Sequence, residues 1–224
     1  MKINVKTSVA LAGIVVTALI AAIILCCAAP SCGQKLNFNA VFYYVCYDAP
    51  SDSFSASSMS SVVHSYGGAG YIVESDGKYY VTVSCYYTEK DALGVAKTLD
   101  HKGLKCFVMK EQSDGGNLRG GAKKNAELYQ GNLNTMFSLT KMCYELANSL
   151  DNYTCGQDGA KSVLSDVKTT LESLSRQNAA NCFARELSAL IAECKDVSHG
   201  YVYSYDVRRL QIAIADSICN VKLF

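Results

Sequence analysis

The chain has 224 residues and a formal net charge of +1, from 21 basic and 20 acidic side chains. This balance supplies no field for gathering nucleic acid without sequence preference, so DNA and RNA are set aside as partners. Eleven cysteines occur without a CxxC pair or any zinc-ligand spacing, which argues against a metal centre. Trp is absent and Tyr is abundant, at 15 residues.

Thr7 to Ala29 runs 23 positions without a charge. At ~1.5 Å per helical residue this is long enough to cross a hydrocarbon core of roughly 30 Å. Residues 1–30 are therefore expected to be a transmembrane anchor, with a cleaved signal peptide ending at Cys27-Ala28-Ala29 as the alternative. Lys2 and Lys6 precede the run and no basic residue follows before Lys35. The positive-inside rule then predicts a single-pass protein of the cell membrane, with a cytoplasmic N-terminus and extracytoplasmic domains.

Val41 to Tyr47 carries the aromatic and β-branched residues of a strand. Met59, Val62, Val63 and Tyr66 recur at helical spacing, and the glycines from Gly67 to Gly70 end that helix. Tyr71 to Glu74 predicts a second strand, and Asp76-Gly77 suits the two left-handed positions of a type I′ hairpin. Lys78 to Tyr86 predicts the third strand. Thr88 and Asp91 have the spacing of a helix cap, Ala92, Val95, Ala96 and Leu99 form its apolar stripe, and Gly103 fits its C-terminal cap. Leu104 to Met109 completes a fourth strand.

Tyr43 to Val73 aligns with Tyr79 to Met109 at a constant offset of 36, pairing Tyr43-Tyr44-Val45 with Tyr79-Tyr80-Val81 and Gly67 with Gly103. A strand-helix-strand unit used twice predicts a ferredoxin-like βαββαβ sheet with both helices on one face, over residues 36–112. Residues 113–122 read as a polar, glycine-rich linker. Residues 123–224 show only helical stripes, among them Leu133, Phe137 and Tyr144, then Val163, Val167 and Leu171, then Leu187 and Leu190, then Leu210, Ile214 and Ile218. The expected class is thus α+β: a membrane helix, a ferredoxin-like domain and a C-terminal all-α bundle of three or four helices.

The double βαβ plan, the Tyr-Val-Thr-Val strand, the capped Glu-Lys-Asp-Ala-Leu helix and the Lys-Gly-Leu-Lys-Cys-Phe-Val finish resemble the SPOR domain of bacterial cell-envelope proteins, over about residues 41–110. The resemblance implies binding of peptidoglycan, in particular denuded glycan strands, and a targeting role at division or sporulation septa. It implies nothing for the helical tail, which is read as a contact for another envelope protein or for a second copy.

Strand alternation puts Val45, Val81 and Val83 under the helices and turns Tyr44, Cys46, Tyr80, Thr82 and Ser84 outward. A platform of Tyr and hydroxyl groups suits sugar rings, which have apolar C–H faces and hydroxyl rims. These five residues are the candidate glycan-binding site. The rival reading is a protein-interaction scaffold in which the tail covers this face. Alternation also sends Cys46 outward and Cys85 inward, against a bridge between them. His64, His101 and His199 match no catalytic motif, so the chain is read as lacking enzymatic activity and cofactors. An enzyme is the third reading, which a pocket joining one of them to a cysteine or carboxylate would revive.

Overall fold

The computed structural model describes residues 34–118, 125–178 and 183–220. Its elements are β1 (Gln34–Lys35), β2 (Ala40–Asp48), α1 (Ser53–Ser65), β3 (Tyr71–Ser75), β4 (Lys78–Tyr86), α2 (Glu89–His101), β5 (Phe107–Ser113), β6 (Asn117–Leu118), α3 (Ala126–Asp151), α4 (Gln157–Gln177), α5 (Phe183–Ser198) and α6 (Ser204–Asn220). Among the described residues no helix is long and apolar enough to cross a membrane. The expected span from Thr7 to Ala29 lies outside the described residues. The expected class is accordingly corrected to an α+β unit with a four-stranded sheet and six helices, and the single-pass membrane location is withdrawn on the same finding.

The four long strands run in the order β3-β4-β2-β5, every neighbour antiparallel. Local chemistry sets most of the boundaries. Asp76 and Gly77 both adopt positive φ, 50° and 71°, in the β3-β4 hairpin. The Asp52 side chain accepts from the Ser55 N–H at 2.8 Å and starts α1. Thr88 does the same for the Asp91 N–H, starting α2. Gly103, at φ 87°, ends α2, and the Leu104 N–H returns to the Leu99 carbonyl at 3.0 Å.

One sheet face packs on α1 and α2 through Val45, Val81, Ala56, Val63, Ala92 and Ala96. The α1 stripe is rotated from the expected one: Ala56 and Val63 are buried, while Val62 and Tyr66 face solvent. The other face is covered by the tail. Phe42, Tyr44, Cys46, Val73 and Cys85 share one core with Met136, Leu139, Leu210 and Ile214. Aromatic contacts fasten α3 to the sheet, with Phe42 and Phe137 centroids 5.8 Å apart and Tyr86 and Tyr144 6.0 Å apart. Polar bonds fasten α6: the Gln211 amide donates to the Cys85 carbonyl at 3.2 Å, and Ser113 donates to the Ile218 carbonyl at 3.0 Å.

The described residues from 34 onward form one compact unit. Residues 34–38 and 113–118 contribute to it. Leu36 and Phe38 are buried, β1 pairs with β6, and Gly115, at φ 73°, sits where an added Cβ would lie 3.0 Å from Phe38 Cβ.

Candidate functional site

Four of the five predicted site residues lie inside the protein. Tyr44, Cys46 and Thr82 have no exposed surface and Ser84 is 3% exposed, while Tyr80 is half-buried. The outward-facing platform is therefore corrected to an internal surface, for two physical reasons. The first is the tail itself, whose apolar stripes find on this face the partner that each amphipathic helix needs.

The second reason is strand parity. Along the β2-β4 ladder the pairs run Tyr44 with Cys85, Val45 with Ser84, Cys46 with Thr82, and Asp48 with Val81. Val83 on β4 and Tyr47 on β2 each stand as an extra residue, so two bulges compensate one another. Past Val83 the alternation along β4 is inverted. Ser84 consequently shares the face of Val45, and Cys85 shares the face of Tyr44 and Cys46. The two cysteines thus lie on the same side, both buried and free, rather than on opposite faces.

Burial also sets the chemistry available on this face. It pushes the Cys46 thiol up to about 12, with the neighbouring Cys106 adding to the shift, so no thiolate forms near neutral pH. The Tyr44 phenol is likewise raised, chiefly by burial, and its hydroxyl has no hydrogen-bond partner among the described residues. Thr82 donates to the Tyr71 carbonyl at 2.7 Å, which ties its hydroxyl to the backbone.

Tyr80 keeps part of the accessibility expected of it, although it packs against the core shared with the tail. Its ring meets Phe107, which is 41% exposed, edge-to-face at 6.3 Å. The two come from β4 and β5, which flank β2, and Cys46, the register partner of Phe107, is the small residue between them. This corner is the solvent-reaching remainder of the predicted face. Phe107 was missed as a candidate, although the repeat offset of 36 from Tyr71 placed an aromatic residue there.

No protein-family model matches the chain, and no curated protein sequence matches it. Among solved structures the chain is similar to the solution structure of the peptidoglycan binding domain of the B. subtilis cell wall lytic enzyme CwlC. The identity is 22%, over 35% of this chain and 99% of that chain, with a TM-score of 0.29.

Proposed function

We propose that the chain is a non-catalytic recognition protein for peptidoglycan glycan, acting in septal or sporulation-related targeting, with Tyr80 and Phe107 as its contact on the sheet. The observation that carries this reading is the aromatic pair of exposed Phe107 and half-buried Tyr80 on the SPOR-like face, the part that the tail leaves accessible. The resemblance of residues 41–110 supports the ligand class. An edge-to-face pair of rings offers apolar surface to the C–H face of a sugar without burying the sugar's hydroxyl rim.

The test is co-sedimentation of the full chain with sacculi, intact and stripped of stem peptides. Retention on stripped sacculi is expected, and the Tyr80→Ala, Phe107→Ala double variant should lose most of it while melting near the wild-type temperature. Equal retention of the double variant would remove this corner as the site.

A second reading is favoured by the burial of Tyr44 under α3 and α6: a protein-interaction scaffold that binds no glycan. Absence of retention on both preparations, with capture of a second copy or of another protein through the outer faces of the tail helices, would favour it.

A further inference from the structure

The chain at the end of α5 has a feature that the sheet does not explain. Gly200, at φ 87°, terminates the helix, and Tyr201, Tyr203 and Tyr205 then follow at every second residue. Val202, between the first two, is buried, and its backbone is held at both ends by Gln157. Its N–H donates to Oε1 at 2.7 Å, and its carbonyl accepts from Nε2 at 3.0 Å. A strand-like clamp of this kind turns the flanking side chains away from the core. Tyr201 and Tyr203 are accordingly 62% and 45% exposed.

The rings form a continuous array. Tyr201 and Tyr203 lie 4.7 Å apart, Tyr203 stacks on Tyr205 at 5.1 Å and 9°, and Tyr205 meets the edge of His64 on α1 at 4.7 Å. His64 Nε2 lies 3.1 Å from Asp206 Oδ1, which locks the end of the array to α6. Beside it opens a groove of about 460 Å³, lined by Ser60, Ser61, His64, Asp196, Asp206 and Arg209 among others. Arg209 is steadied by Glu193 at 2.6 Å.

We propose that this array and groove form a second saccharide-binding site. Exposed aromatic rings joined through His64 to a polar groove match the two surfaces of a pyranose, its C–H face to the rings and its hydroxyl rim to carboxylate and guanidinium groups. An apolar peptide would take water from these ion pairs and return no hydrogen bond, a cost that a polyhydroxylated ligand avoids. The groove joins His64 to the Asp206 carboxylate, the arrangement that revives an enzymatic reading, but it directs no serine nucleophile at that histidine. The Ser60 hydroxyl donates to the Gly70 carbonyl and Ser61 to the Ser57 carbonyl, so neither hydroxyl is directed at His64. The site shares its ligand class with the reading above but none of its residues.

The test is an amide-shift titration of the full chain with chitotetraose, a neutral N-acetylglucosamine oligomer. Shifts at residues 199–206 and at His64 are expected. Tyr203→Ala with Tyr205→Ala should weaken the affinity read at His64 by at least ~10-fold, about 1.4 kcal/mol. Tyr201→Ala, a substitution at the most exposed ring, should weaken it without affecting the fold, and Tyr80→Ala should leave it within about twofold. No shifts at these amides in the wild type, or an affinity indifferent to both tyrosine variants, would overturn the proposal. Sacculus retention is scored separately, so a failure of the sheet-corner reading and a failure of the groove register in different measurements.

Discussion

The side chain of Gln157 and the backbone of Val202 are joined by two hydrogen bonds, one in each direction, across 45 residues of sequence. A glutamine amide here does the work of a neighbouring β-strand, holding an irregular segment extended where helix α5 has ended.

Replacing Gln157 with Ala therefore leaves a half-buried N–H and C=O to find water. The expected loss is about 1–3 kcal/mol of unfolding free energy, together with faster hydrogen exchange at Val202. Urea denaturation and exchange measured by NMR check both. Unchanged stability with unchanged exchange would show that the clamp holds nothing.

Tyr44 makes the opposite prediction. Its ring fills the core beneath α3 and α6, and its hydroxyl is buried without a partner. Tyr44→Phe keeps the ring and removes the orphan group, so it should be neutral or stabilising by about 1 kcal/mol, whereas Tyr44→Ala should cost about 3–5 kcal/mol. Denaturant titration of the pair decides it. A large loss from Tyr44→Phe would mean that the hydroxyl is engaged.

The interface between α6 and the sheet carries one group that titrates in an accessible range. Burial pushes the Asp216 carboxyl up to about 6. Glu111 and Glu74 push in the same direction, while hydrogen bonds from Tyr71 at 3.1 Å and Asn220 at 2.6 Å oppose them. The folded protein holds this proton more tightly than the unfolded chain, whose carboxyl keeps its ordinary value near 3.8. The favourable term is thus fully present below about pH 3.8 and is lost as pH rises through about 6, a fall of roughly 3 kcal/mol from this group alone. Asp216→Asn should flatten stability against pH over that window. A profile identical to wild type would remove Asp216 as the source.

How much of this was legible in the sequence follows the range of each interaction. The Asp76-Gly77 hairpin, the Thr88 cap and the Gly103 stop depend on residues within a turn of one another, and all three are visible in the residue order. The repeat offset carries the strand order as well. The faces of the strands are a different matter. The extra residue at Val83 inverts the alternation of β4 from Ser84 onward, the extra residue at Tyr47 offsets it on β2, and no local preference marks either position. Burial of Tyr44 depends on the core it shares with Leu210 and Ile214, more than 160 residues away in the chain. The alternation of Tyr201, Tyr203 and Tyr205 is plain in the sequence, but it falls between the helical stripes of the tail. Its exposure is set by Gln157 from another helix.

The central claim is recognition of glycan by a chain of almost no net charge. It is tested most directly by retention of the full chain on stem-peptide-stripped sacculi at physiological salt and again at roughly 0.5 M, where exposed charges are screened within a few ångströms. The account predicts retention that changes little between the two. Retention that collapses at high salt, or that never occurs, would contradict it.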